Sequence, residues 1–143
     1  MHFMESIFSN NDIRVIDELW DLILPIKETI TDSFYATLFS LDRTIKPMFK
    51  TDLGVQGLRL TDTLTFIIKH MGNIEDTIQI VKELGVKHLE YGTKPYHYDL
   101  VLEALLETFD KHLEEKFNSE MRLCWIKLYK FLSELMMLGK PSK

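Results

Sequence analysis

Apolar residues recur every three or four positions along most of the chain, which is the spacing of one face of an α-helix. The first stripe follows Asn10 and Asn11, two candidate N-cap residues, and stops at Pro25. Its members are Ile13, Ile16, Trp20, Ile23 and Leu24. No Asn-Gly or Asp-Gly pair separates two alternating runs, as a β-hairpin would require. The pattern therefore predicts an all-α chain.

Five more stripes and one corner complete the pattern. A second helix is predicted from about Ile26 to Leu41 and a third from about Val55 to Met71. Between them, a segment interrupted by prolines and glycines predicts a short corner helix. The fourth stripe stops at Gly92, the fifth begins after Pro95, and the sixth lies near the carboxyl end. We predict six long helices and a short one, in a single domain over residues 1–143.

The fourth stripe includes a histidine. Its members are Ile74, Ile78, Val81, Gly85 and His88, at alternating intervals of four and three. His88 therefore faces the core at the end of one helix, and Tyr98 faces it at the start of the next. A neutral imidazole in an apolar wall can bind iron if a hydrogen bond holds its other nitrogen. The carbonyl of Leu84 could accept that bond, and the Tyr98 hydroxyl could supplement it. From spacing alone, a buried structural histidine is the more common interpretation.

Composition and charge exclude several classes of function. The chain has 143 residues and a formal net charge of -5, which disfavours a nucleic-acid partner. Charges interrupt every apolar run before it reaches the length of a membrane span, and the first residues do not form a secretion signal. Cys124 is the single cysteine and lies beside Trp125 in an apolar helical pattern, which indicates a buried, unreactive thiol. We expect a cytoplasmic protein that does not enter membranes.

Five motifs occur in an order that resembles one family. The segment LGVKHLEYGTKPYHYDLVLEALLETF is similar to the proximal-histidine region of globins, especially bacterial single-domain globins and the haem domains of flavohaemoglobins. FYATLF (34–39), IKPMF (45–49) and QGLRL (56–60) resemble the distal motifs of the family, and CWIKLY (124–129) resembles its last helix. The resemblance covers nearly the whole chain and implies a globin fold that encloses a haem b pocket.

The resemblance implies a role for each matching residue. His88 would be the proximal iron ligand, and Phe49 would stack on the haem. Tyr35 and Gln56 would form a polar distal pair that donates hydrogen bonds to oxygen, with Leu60 beside them. Leu84, Tyr98 and Val101 would complete the cofactor-binding set.

Two positions qualify this assignment. The glutamate that polarises the proximal histidine in flavohaemoglobins corresponds here to Lys140, and Glu134 lies too early in the helix to replace it. Arg59 could reach a haem propionate or could be an ordinary exposed arginine. The other histidines, His2, His70, His97 and His112, are interpreted as surface or second-layer residues without a role.

Three functions fit the resemblance. The first is reversible binding of oxygen, and of other diatomic gases such as nitric oxide and carbon monoxide, at a five-coordinate iron. The second is a nitric oxide dioxygenase, which converts nitric oxide and oxygen to nitrate and needs electrons from a separate reductase. The third is a gas sensor that acts through a partner protein. An all-α protein without haem is the alternative to all three. The sequence favours the binder over the enzyme.

Overall fold

The computed structural model describes residues 7–73 and 75–139. Six α-helices dominate this part: α1 (Asn10–Ile23), α2 (Lys27–Leu41), α3 (Leu53–Lys69), α4 (Glu75–Glu90), α5 (Pro95–Leu113) and α6 (Ser119–Leu138). Short 3₁₀ helices cover Leu24–Ile26, Arg43–Met48, Met71–Asn73 and Glu114–Lys116, and the described residues contain no strand. The prediction of an all-α chain with six long helices and a corner helix is confirmed. The predicted bounds of α2 and α3 are right within about two residues, an ordinary uncertainty for a helix end.

Side-chain caps begin most of the helices. Ser9 caps α1, because its hydroxyl accepts the Asp12 N–H while the Asp12 carboxylate accepts the Ser9 N–H, both at 3.0 Å. The prediction that Asn10 or Asn11 would be this cap was therefore wrong, since both lie within the helix. Asp52 caps α3 and Asn118 caps α6.

The core contains a stack of aromatic rings where α1, α5 and α6 meet. The rings of Trp20 and Trp125 are parallel within 7° at a centroid distance of 6.0 Å, and Phe109 lies edge-on to Trp125 at 5.4 Å. Cys124 is buried beside this stack, as the sequence predicted. Burial and the nearby Asp12 carboxylate raise its pKa to about 11, so the thiol is unreactive near neutral pH.

Two glycines allow helices to approach at the backbone. A Cβ built on Gly57 of α3 would lie 2.9 Å from the side chain of Thr31 on α2, and one built on Gly85 of α4 would overlap the carbonyl oxygen of Met136 on α6. These contacts bring α3 onto α2 and α4 onto α6. Within the described ranges, none of the helices has the length and apolar character that crossing a membrane requires.

Candidate functional site

His88 lies in the last turn of α4, partly buried, and its ring is held from one side. Its Nδ1 lies 2.7 Å from the carbonyl oxygen of Leu84. Because a carbonyl can only accept, Nδ1 carries the hydrogen and Nε2 keeps its lone pair. No other described residue hydrogen-bonds to this ring. The predicted hydrogen bond is confirmed, and it selects the tautomer that a metal-ligating imidazole needs.

The backbone of α6 supports the helix that carries His88. Gly85, one turn before His88, lies against the carbonyl of Met136, and Gly139 lies similarly close to the carbonyl of Lys82. Side chains at either glycine would push the helices apart. The close approach of α4, which carries His88, to α6 therefore depends on contacts between backbones.

Tyr98 of α5 lies beside His88, as predicted. The two rings are 6.2 Å apart between centroids and inclined by 30°. The expected hydrogen bond between the Tyr98 hydroxyl and the imidazole is absent, because the rings meet in a stacked arrangement. The hydroxyl of Tyr129 on α6 donates to the backbone carbonyl of Tyr98 at 2.7 Å and ties the start of α5 to the last helix. Burial raises the pKa of both phenols, so both remain protonated.

The hydrogen-bond acceptor for His88 Nδ1 carries no net charge. Lys140, which matches the glutamate of flavohaemoglobins, lies outside the described residues. Glu134 is exposed and makes no bond to the imidazole. Within residues 7–73 and 75–139, the carbonyl of Leu84 is therefore the sole acceptor for the His88 N–H.

An aromatic cluster unites two of the predicted distal residues. Tyr35 of α2 lies 5.5 Å from Phe49 and 6.1 Å from Phe39 between ring centroids, and Phe39 lies 5.6 Å from Phe49. Tyr35 is buried, yet its hydroxyl has no hydrogen-bond partner among the described residues. Burial raises its pKa to about 12. The hydroxyl is therefore a protonated donor available to a ligand.

Gln56 and Leu60 occupy successive turns of α3. Both side chains are partly buried, and Gln56 makes no side-chain hydrogen bond within the described chain. The tight contact between Gly57 and Thr31 brings this part of α3 onto α2. Thr31 lies one helical turn before Tyr35. Val101 and Leu60 pack against the core, and Arg59 is exposed.

Two concavities lie near these helices. A small apolar cavity is lined by Leu60 and Thr31 together with residues of α1, α2, α3 and α5, and it adjoins the predicted distal side. A larger groove of about 610 Å³ runs between α2 and α5, lined mainly by polar residues such as Asp32, Glu107 and Lys111. None of the predicted site residues lines that groove, so its size does not make it the site.

His97 is buried and caps a helix, which the sequence analysis did not predict. Only 7% of it is exposed, and its Nδ1 accepts the backbone N–H of Lys94 at 2.9 Å, which caps α5. His97 is therefore not a surface residue, and it has a capping role that the sequence analysis did not assign. His97 is the third residue of a helix that opens with Pro95, a position from which side chains commonly cap the helix start. That position could have predicted the cap from the sequence. His70 and His112 are partly buried, and His2 lies outside the described residues.

The arrangement fits a haem group. It offers an imidazole whose Nδ1 is held by a carbonyl, an aromatic cluster, and a phenol on a different helix that has no hydrogen-bond partner in the described chain. These are the groups that hold haem iron from one side and leave the opposite side for a small ligand.

Comparison with known proteins agrees with this geometry. The family described as Globin matches residues 32–136. A flavohemoprotein of Vibrio cholerae is 25% identical over 126 residues, which are 86% of this chain and 32% of that protein. An uncharacterized globin-like protein of Aquifex aeolicus is 26% identical and is covered over 89% of its length. The chain thus spans about a third of the flavohemoprotein but nearly all of the globin-like protein.

A solved structure shares the fold. An engineered carbene transferase from Rhodothermus marinus superimposes with a TM-score of 0.81 over 92% of each chain, at 18% sequence identity. The predicted globin fold is confirmed by the family match and by this superposition. The chain belongs to the globin family, and membership implies that it binds haem.

Proposed function

We propose that the chain binds haem b through His88 and binds oxygen reversibly on the opposite side, with nitric oxide and carbon monoxide as further ligands. The observation that carries the proposal is the hydrogen bond from His88 Nδ1 to the carbonyl of Leu84. It fixes the imidazole tautomer whose Nε2 is free to bind iron. The haem would supply a ferrous iron able to bind a diatomic gas, and His88 would hold that iron.

The neutral acceptor on His88 favours binding over oxidative chemistry. A carboxylate partner would draw the Nδ1 proton away and make the imidazole a stronger electron donor. The Leu84 carbonyl carries no net charge, so it orients the ring with a weaker electronic effect. An imidazole held in this way suits a ligand that must leave unchanged.

Tyr35 is the candidate donor on the distal side. A phenol donor would favour oxygen over carbon monoxide as a ligand, because oxygen would draw more negative charge from ferrous iron. A hydrogen bond from a buried phenol therefore stabilises bound oxygen selectively. The pKa of about 12 keeps the hydroxyl protonated over the physiological range, so its donor role needs no other group.

Gln56 and the aromatic residues complete the distal side. The Gln56 amide offers a second donor from α3, and it is not engaged elsewhere in the described chain. Phe49 and Phe39 flank the Tyr35 ring and exclude water from it. Exclusion of water would strengthen hydrogen bonds to the ligand. It would also slow autoxidation of the haem iron.

Nitric oxide dioxygenation is the second candidate. It is supported by similarity to a flavohemoprotein over 86% of this chain. Each nitric oxide would combine with one oxygen molecule and one electron to give nitrate, and a separate flavin reductase with a nicotinamide donor would supply the electron. Buried Cys124, a free thiol, agrees with the cytoplasmic location that such a partner requires.

The test is to load the purified chain with haem, reduce it, and cycle it between oxygen and argon. A binder returns to the same ferrous spectrum over many cycles and forms little nitrate when nitric oxide, reductase and nicotinamide are added. Sustained nitrate formation, abolished by omitting the reductase, would replace the binding proposal by the enzyme. Conversion to the ferric spectrum within one cycle would contradict reversible binding.

A further inference from the structure

We propose that His97 is a positioning residue that holds the corner between α4 and α5 on the side of His88. The inference rests on the proposed function, because the property it controls is the retention of haem. It concerns the segment between His88 at the end of α4 and Tyr98 in the first turn of α5.

The start of α5 depends on His97. Lys94 occupies the N-cap position, but a lysine side chain has no acceptor with which to cap a helix. The imidazole of His97 replaces it, because Nδ1 accepts the Lys94 N–H at 2.9 Å while His97 N donates to the Lys94 carbonyl at 3.0 Å. The two residues are thus joined twice.

This cap closes the connection that follows His88. The chain leaves α4 through Gly92, whose φ of 90° is a left-handed conformation, and the N–H of Thr93 donates to the His88 carbonyl at 2.9 Å. Lys94 comes next. The cap therefore fixes the far end of a short connection whose near end is His88, and it also fixes the backbone that carries Tyr98 to the imidazole.

The corner before Phe49 lies within electrostatic reach of His97. The Asp42 carboxylate accepts the Thr44 N–H at 2.9 Å and caps the 3₁₀ helix Arg43–Met48, which leads to Phe49. Hydrogen bonds from Thr44 lower the pKa of the Asp42 carboxyl most, and His97 lowers it through space.

The ring of His97 is nearly excluded from water, so loss of its acceptor would leave the Lys94 N–H with little compensation.

The experiment measures transfer of haem from the loaded protein to an excess of apomyoglobin. It compares the unaltered chain with His97→Gln, His97→Leu and His70→Gln. Glutamine supplies an acceptor that does not titrate at the usual capping position, whereas leucine fills the space without an acceptor. His70→Gln removes a titratable ring that bonds to the Phe66 carbonyl, away from this corner. Circular dichroism establishes that each variant is folded.

At about pH 7.5, His97→Leu should lose haem about fivefold faster than the unaltered chain, while His97→Gln stays within about twofold. His70→Gln should lose haem at the rate of the unaltered chain. If His97→Leu lost haem no faster than the unaltered chain, or if His97→Gln lost it as fast as His97→Leu, the positioning role would be overturned.

A second readout separates this inference from the function on which it rests. Hydrogen exchange at the Lys94 amide, measured on each protein as purified, should be faster in His97→Leu than in His97→Gln. Failure of the unaltered chain to take up haem would refute the proposed function, and the amide would still report on the cap. Equal exchange in the two variants would refute the cap as the source of the effect.

Discussion

Gly85 lies directly against the backbone carbonyl of Met136, so close that a Cβ on the glycine would overlap the oxygen. The contact joins the helix that carries His88 to the last helix without an intervening side chain. His88 follows on the same face, one turn later. The position of the candidate iron ligand therefore depends on a residue that has no side chain.

Replacement of Gly85 by alanine should destabilise the protein by about 2 kcal/mol, because a methyl group forced against backbone cannot be accommodated by rotating a side chain. The sign is informative, since alanine ordinarily stabilises a helix by about 1 kcal/mol relative to glycine. The free energy of unfolding is measured by urea titration. Gly72→Ala is the matched control, because a Cβ on Gly72 meets no atom within 4 Å. A Gly85→Ala chain as stable as this control would contradict the close contact.

Tyr35→Phe should increase the rate of oxygen dissociation about tenfold and change carbon monoxide dissociation much less. The substitution removes a hydroxyl and keeps the ring that contacts Phe49 and Phe39. Stopped-flow displacement of each gas from the haem-loaded protein measures both rates. Tyr91→Phe serves as the control, since 63% of Tyr91 is exposed. Equal acceleration for the two gases would remove Tyr35 from the donor role.

Asp12 should make stability fall at acid pH. Lys127 donates to its carboxylate at 2.8 Å and lowers its pKa most, with help from the Ser9 N–H and against partial burial. Because the folded-state pKa is depressed, the stabilisation is complete above the unfolded value of about 3.9 and disappears as pH falls through the folded value.

Asp12→Asn should therefore reduce the free energy of unfolding by about 1 kcal/mol at neutral pH, and the difference from the unaltered chain should disappear as the pH falls through the lowered pKa of Asp12. Urea titrations over a pH series measure this difference. Glu18→Gln is the control, because the Arg14–Glu18 pair is largely exposed and should contribute little. A constant difference at every pH would show that Asp12 acts without its charge.

Local signals in the sequence predicted part of the site correctly. The bond between His88 and Leu84 follows from helix geometry, since residues four apart share a face and the carbonyl of one lies under the side chain of the other. The aromatic spacing of α2 placed Tyr35 on the inner face. Its contact with Phe49, across a corner, was not predicted, because the family resemblance assigned each residue to the haem pocket without relating one to the other.

Other features depend on how the helices meet, and periodicity does not encode that. The closeness of Gly85 and Met136 arises from the approach of α4 and α6, and the stacked rings of His88 and Tyr98 arise from the angle of the corner between α4 and α5. The sequence therefore predicted a hydrogen bond where the structure has a ring contact. The cap at His97 is by contrast a local feature, since the acceptor and the Lys94 N–H are three residues apart at the start of one helix.

The most direct test of the account is a haem titration of the chain and of His88→Ala, followed by absorption spectroscopy under carbon monoxide, with and without added imidazole. We predict that the unaltered chain binds one haem and shows a sharp Soret band that shifts under carbon monoxide. The variant should bind haem far more weakly, and free imidazole should restore the spectrum by replacing the missing ring. A variant with the same affinity and the same carbon monoxide spectrum as the unaltered chain would contradict His88 as the iron ligand.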